Sequence, residues 1–384
     1  MPMRNSYFLG VLFFGLFSAQ KIQVVDAENG HPISNARIIL EDKVVYTNED
    51  GFAPIESSSK NFEISASGFK KEKISNFNTA IKLKPSVQDI EEVKIVSVDV
   101  KKIFEDVLKN YQQRYYDQPS LYDVVIKEKT FDNNNLYFMG IGEAKIWSKA
   151  NKYNYRDGYH KRYDDIMQIQ LNNVKYLKRV QSDSIFTGKS TEVLHQTLGS
   201  YFMNFELNSI VESLKDKSTK KAGILKSKEG DEEVVSFKIN SDNGIRREGE
   251  FNYNLKDKVI TYLKISYLQS EYPTEKRTTT DGREYGYKLG DATLIFDFYK
   301  IEGVYVPTMT QYEADNFTIF YKDQVHVKKF NREVVYNTFE KTNQKGLDPK
   351  VDFNIGIWKN IPLKEDKAAA MLLSKEEQEF IDQK

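Results

Sequence analysis

Residues 36–69, ARIILEDKVVYTNEDGFAPIESSSKNFEISASGF, narrow the fold more than any other stretch of this chain. Phe62, Ile64 and Ala66 place an apolar side chain at every second position, which gives a strand one buried face. The runs are short and are broken at Asp50-Gly51 and again at Gly68. Gly51 reaches positive φ without steric cost, as a tight turn between strands commonly requires. Runs at 22–26, 44–47, 80–85 and 90–98 continue the pattern, with a turn signal every 8 to 12 residues or so. About seven short strands so spaced predict a small β-sandwich over residues 20–98. In this reading Asp50, Gly51 and Gly68 are structural turn residues and carry no chemistry.

At Asp99 the period changes. Ile103, Phe104, Val107, Leu108, Tyr111 and Tyr115 share one helical stripe, with Asp99 as N-cap and Pro119 as stop, which predicts a linking helix over 99–118. Strands are expected at 121–131, 137–149, 174–182, 233–241, 247–254, 258–270, 293–301 and 325–341. Most alternate apolar residues with Lys, Glu or Asn, the mark of antiparallel strands with one wet face. A helical insert is expected at about 192–217, where Ser209-x-x-Glu212 reads as a capping box. The prediction is a mainly β chain: the small sandwich, then a larger curved antiparallel sheet over 119–362 whose concave face is partly filled by a few helices, then a helical tail over 363–384.

Charge and cysteine usage exclude several classes. The chain has 56 basic and 56 acidic residues, so no concentrated basic surface points to nucleic acid. It has no Cys, which removes disulfides, thiolate metal sites and lipid attachment at a mature N-terminal Cys. Arg4 followed by the apolar run 8–17 and Ser18-Ala19 reads as a signal peptide over 1–19. The protein is therefore expected in the periplasm or at the outer-membrane periphery, without a membrane span after cleavage. A membrane barrel is disfavoured by charges in both strand registers and by Lys384 at the end.

The order V-x-D…NG-x-PI…NARI-x-L, TNEDGF, ISASGF and IEEVKI over residues 21–98 resembles the carboxypeptidase-regulatory-like (transthyretin/prealbumin-like) domain of Bacteroidetes envelope proteins. In that family the Asp-Gly turn and the Gly-aromatic pair are structural. Asn110-Tyr111 and the ending Ile357-Trp358-Lys359-Asn360 resemble a group of Bacteroidetes two-domain proteins. The element order of the larger domain is similar to the periplasmic lipoprotein-carrier fold, which shields acyl chains. The resemblance also implies a possible accessory role beside a TonB-dependent outer-membrane transport complex, since the same small domain precedes the plug of those receptors.

Few residue patterns in the chain point to chemistry. None of His31, His160, His195 and His326 opens an H-x-x-E or H-E-x-x-H pattern, so the zinc site of a carboxypeptidase is not indicated. No G-x-S-x-G occurs, and Gly140-Ile141-Gly142 lacks the third Gly and the helix of a nucleotide loop. Asp164-Asp165 and Glu91-Glu92 are neighbours that point apart in a strand. Asp183-Ser184-Ile185 matches a short glycosylation pattern. The best local candidate for recognition interleaves aromatic and basic residues: Tyr155, Arg156, Tyr159, His160, Arg162 and Tyr163, suited to a glycan or an anionic headgroup. The expectation is a non-catalytic envelope protein, without catalytic residue, metal or cofactor, that binds an envelope partner or an apolar or glycan ligand. The alternatives are a lipid or lipoprotein carrier and the TonB-complex accessory.

Overall fold

The computed structural model describes residues 19–383 except 42, 57–60, 76–77, 87–95, 155–162, 181–198, 242–243, 245, 280–281, 354–356 and 360–371. Its first part is a small β-sandwich of seven short strands: β1 (Ala19–Asp26), β2 (Arg37–Ile39), β3 (Val44–Tyr46), β4 (Phe52–Glu56), β5 (Phe62–Ser65), β6 (Glu72–Ile74) and β7 (Ala80–Leu83). β1 is the middle strand of one sheet, antiparallel to β4 and parallel to β7; the second sheet runs β3-β2-β5-β6. Ile22, Val24, Ile38, Ile64 and Leu83 are buried between them, as period-2 alternation dictates. Gly51 has φ 75°, and a Cβ there would lie 2.6 Å from the Val24 carbonyl oxygen. Torsion and space therefore both demand glycine. Gly68 has φ 80° with open space around it.

Residues 96–98 close no sandwich strand. Val98 N–H donates to Gly223 O and Leu225 N–H to Val96 O, so this segment runs along the edge of the large sheet. The linking helix follows in two pieces, α1 (Val100–Lys109) and α2 (Tyr111–Arg114), with Asn110 between them. The Asp99 side chain accepts from Lys102 N, the expected N-cap.

The large antiparallel sheet contains β8 (Ser120–Asp132), β9 (Asn135–Ser148), β10 (Met167–Arg179), β11 (Lys220–Glu229), β12 (Glu232–Asn240), β13 (Arg246–Asn254) and β14 (Val259–Leu268). It continues with β15 (Glu275–Thr278), β16 (Glu284–Lys288), β17 (Asp291–Ile301), β18 (Val304–Tyr321), β19 (Gln324–Tyr336) and β20 (Glu340–Lys341). Helix α3 (Met203–Ser213) stands between β10 and β11, and α4 (Lys375–Asp382) ends the described chain. Among the described residues the sheet order is β10-β9-β8-β19-β18-β17-β14-β13-β12-β11, with β20 added to β8 and the β15–β16 hairpin to β18.

β18 escaped the sequence reading although it is 18 residues long. Pro307 and Asn316 hid it, yet both are accommodated as irregularities. The pairing with β17 slips between Asp297 and Phe298, next to Pro307, and that with β19 slips between Ala314 and Phe317, where Asn316 takes φ 58°. A bulge is where a sheet tolerates proline.

One face of the sheet carries helices. Phe104, Val107 and Tyr111 from α1 and α2, with Met203, Leu207 and Ile210 from α3, pack on Val235, Phe251, Leu263 and Phe296. Further along, Tyr122, Val124, Ile126 and Ile169 are covered by Tyr201, Phe202, Val351 and Ile357. Trp358 lies over the two glycines of β9: a Cβ at Gly140 would approach its Cε2 to 2.7 Å. The Gly-x-Gly of the sequence thus seats an indole. The capping box assigned to Ser209 is not one, since Ser209 lies inside α3 and the N-cap, Phe202, makes no side-chain cap. Burial of Met203 and Leu207 sets where this helix begins, and packing outweighs a polar cap. A capping box does form at Ser374 and Glu377, opening α4.

Candidate binding site

The sandwich and α4 cover the opposite face, and alternation decides its chemistry. In β8, Tyr122, Val124 and Ile126 face the helices, so Lys127 and Lys129 must face the sandwich. Register then lays polar rows across five strands. Lys127 stands opposite Glu333, Glu333 opposite Gln311, Gln311 opposite Ile295 and Ile295 opposite Lys264. The adjacent row runs Lys129, Asn331, Glu313, Thr293 and Ser266.

At one end of these rows three parts of the chain meet. Lys127 Nζ lies 3.1 Å from Glu377 Oε1 of α4 and 3.7 Å from Glu333 Oε2. Lys129 Nζ lies 3.1 Å from the same Glu377 oxygen and 2.5 Å from Glu49 of the sandwich. Glu377 is wholly buried. Burial alone would push its carboxyl up, but Lys127 and Lys129 hold it down at about 2. Burial likewise works against the Lys127 ammonium, and Glu333, Glu377 and Glu49 overcome it and raise its pKa.

The Asp-Gly turn of the sandwich enters the same junction. Asp50 Oδ2 accepts the Lys375 N–H at 2.7 Å, serving the first turn of α4. Asn48 Nδ2 donates to Leu373 O at 3.0 Å. At the other end of α4, Lys178 Nζ donates to Phe380 O at 2.7 Å, where a helix dipole favours a cation. Asp50, read from sequence as a turn residue alone, therefore also docks a helix 325 positions away. No local pattern signals such a contact.

A second anchor lies deeper. Arg37 Nη1 donates to Asp297 Oδ1 at 2.6 Å and to Phe298 O at 3.0 Å. The Tyr46 hydroxyl sits 2.8 Å from Asp297 Oδ2 and 2.7 Å from Thr308 Oγ1. Burial pushes the Asp297 carboxyl up, opposed by the Arg37 guanidinium and the Tyr46 hydroxyl. Val44 and Tyr46 pack beside this pair on Ile295, Met309 and Val335, a small apolar contact. Polar clefts open on either side of it. One, of about 560 Å³, is floored by the rows above and bordered by Asn35, Asn48, Glu49 and Glu376. The other, of about 230 Å³, lies beside Arg37 and Asp297.

The other sequence candidates fall elsewhere. Tyr155, Arg156, Tyr159, His160 and Arg162 lie outside the described residues, as do His195 and the Asp183–Ile185 motif. Only the backbone of Tyr163 is described, at the start of a 3-10 turn. His326 Nδ1 lies 3.1 Å from Asp132 Oδ2 and its Nε2 3.4 Å from Gln324 Oε1. Lys328 Nζ lies 3.0 Å from the same Asp132 oxygen. Both imidazole nitrogens thus face oxygens of a carboxylate and an amide at a hairpin end. Among the described residues no three of His, Cys, Asp and Glu gather to hold a metal, and no helix is long and apolar enough to cross a membrane.

No family model matches the sequence, and no curated protein matches it. Among solved structures, a LolA superfamily protein from Nitrosomonas europaea is similar at 12% identity and a TM-score of 0.22, over 64% of this chain and 95% of that one. The MucA/MucB complex of Pseudomonas aeruginosa is similar at 7% identity and a TM-score of 0.19, over 64% of this chain and 100% of that one.

Proposed function

We propose that this chain is a non-catalytic binding module of the cell envelope, with the seam between sandwich and sheet as its binding surface. The sandwich is, in this reading, a carboxypeptidase-regulatory-like domain serving as scaffold. One observation carries the proposal: the apolar face of the large sheet is occupied by the chain's own helices, whereas the clefts at the seam are polar. An acyl-chain carrier needs an apolar cavity of roughly 300–1,000 Å³. Here Phe104, Leu207 and Ile210 fill that side of the sheet. The test is titration of delipidated protein with a fluorescent acyl probe. No saturable uptake is expected; saturable uptake displaced by a fatty acid would overturn the reading in favour of a lipid carrier. Fractionation of cells expressing the full chain is expected to find it in the envelope, and a purely cytoplasmic pool would remove the assigned compartment.

A further inference from the structure

Among the described residues, the contacts that hold α4 to the seam face lie within residues 373–383. Leu373 O accepts from Asn48 Nδ2, and the Lys375 N–H donates to Asp50. The Glu377 carboxylate reaches Lys127 and Lys129, which keep Glu333 and Glu49 as further partners. Phe380, with Leu373 and Ile381, packs on Val125, Met139 and Ile141. Lys178 Nζ closes the far end by donating to the carbonyls of Phe380, Ile381 and Gln383. The seat therefore reads one contiguous stretch: a carboxylate and an aromatic ring three positions apart, on a helix whose last carbonyls meet a cation.

The tail comes to this seat from the far side of the sheet. Trp358 lies against Gly140 and Gly142 on the helical face of β9, whereas Phe380 packs on Met139 and Ile141 on the seam face of the same strand. Residues 360–371 join the two positions. α4 is 8 residues long, and isolated helices below about 12–15 residues are marginal in water, so it is helical because it is seated. Leaving the seat is also cheaper than leaving the helical face. Glu377, Lys127 and Lys129 regain water when they part, and loss of that water is what docking had to overcome. Glu376, Glu379 and Asp382 are exposed on α4 and make the tail acidic, against the lysines of the seat.

We propose that this seat is a helix-binding groove for a partner protein, and that α4 occupies it in cis until the partner's helix displaces it. The partner presents an acidic amphipathic helix with a carboxylate and, three positions on, an aromatic residue, the pattern of Glu377 and Phe380. This rests on the seam as binding surface and names the partner of that surface. Effective concentration selects a partner over a second copy of the chain. A short tether holds the tail at about 1 mM, so an identical tail on another copy at about 1 μM loses to it roughly a thousandfold. A longer helix, better formed before it binds, makes up that difference.

The test uses the full chain and a fluorescein-labelled peptide of residues 372–384. The Phe380→Ala chain, whose own tail is loosened, is expected to bind this peptide saturably and at least tenfold tighter than the parent chain does. A peptide carrying Glu377→Lys is expected to bind at least tenfold more weakly. A peptide bridged between Gln378→Lys and Asp382, helical before it binds, is expected to displace the tail of the parent, read as loss of hydrogen-exchange protection in α4 with β8 unchanged. No saturable binding to the folded Phe380→Ala chain overturns the proposal, as does equal binding of the Glu377→Lys peptide. If Phe380→Ala does not fold, exchange in the parent decides. There α4 amides are expected to be protected at least a hundredfold less than those of β8, and equal protection makes α4 a fixed part of the core and overturns the proposal. A parent that sediments as a dimer, and loses the dimer on Phe380→Ala, gives the seat to a second copy and overturns the partner assignment. The acyl-probe titration reads the functional proposal separately, so a failed peptide titration without acyl uptake removes this inference alone.

Discussion

The two faces of the large sheet come from the same strands and are held by opposite chemistry. On the helical face, the Phe104 ring meets Phe237 edge-on at 5.6 Å and Phe251 at 5.2 Å, with all three rings buried. On the seam face, Lys127, Lys129, Glu333 and Glu377 are buried against one another. The first arrangement gains from apolar area removed from water, whatever the precise orientation. The second pays desolvation for each charge and recovers it only when every partner is in place. One face therefore supplies stability, and the other sets which parts of the chain meet and where. Two of the buried glutamates, Glu377 and Glu206, show the contrast on one scale. Glu377, beside two lysines, is held well below its ordinary range; Glu206 on the helical face is pushed up by burial, against the Tyr267 hydroxyl and Arg247.

Phe104→Ala should cost most, about 3–5 kcal/mol in urea unfolding. A loss below about 1 kcal/mol would mean that the helical face is not a packed core, and the comparison would break there. Glu377→Gln comes next, at about 3 kcal/mol near neutral pH, because it leaves Lys127 and Lys129 short of a buried counter-charge. Glu206→Gln should be neutral or stabilising at the same pH, which sharpens the contrast.

The pH dependence carries opposite signs at these two positions. The ordinary value is 4.5 and that of Glu377 about 2, so its contribution is complete above about pH 4.5 and is lost as pH falls from there through 2. Glu206, raised by burial, contributes fully below pH 4.5 and loses as pH rises through its folded value. Unfolding free energies measured from pH 3 to 7 should thus show a shallower acid loss in Glu377→Gln than in the parent. An identical slope would show that the Glu377 carboxyl titrates alike in the folded and the unfolded chain, so that Lys127 and Lys129 do not hold it down.

Gly140→Ala should cost about 1–3 kcal/mol by forcing the Trp358 indole off its seat, with a change in tryptophan fluorescence. Asp50→Ala should cost less, about 1 kcal/mol, the worth of one helix cap. Hydrogen exchange should place the Asp50→Ala effect in α4 as well as in the sandwich turn. An effect confined to the turn would detach α4 from Asp50.

Much of the fold was legible from local pattern. Alternation in residues 121–131 and 247–254 marked β8 and β13 to within a residue or so. β18 was not legible because Pro307 and Asn316 act as breakers in one dimension, and only the neighbours β17 and β19 turn them into bulges. Gly223 in β11 gave no signal either. A Cβ there would meet Val100 Cγ1 at 2.4 Å and Val98 O at 2.6 Å, a close approach made by residues more than 120 positions earlier. The box at Ser374-x-x-Glu377 was visible in principle, being the same pattern that misled at Ser209. A capping motif is decided by whether the residues after it find an apolar surface, and a short pattern does not contain that surface.

For the candidate site the division is sharper. Composition and alternation determined a mainly β chain, a small sandwich ahead of a large antiparallel sheet, and one wet face per strand, because these are properties of consecutive residues. They also determined that Asp50-Gly51 turns, since glycine torsion is local. Only the tertiary structure decided which wet face becomes covered, and that Asp50, Glu49 and Arg37 of the sandwich meet Lys375, Lys129 and Asp297 across it. Those contacts join groups up to 325 positions apart, and the Arg37–Asp297 ion pair spans 260. A charge is solvated as well by water as by a distant partner until packing removes the water, so its partner is chosen by the fold.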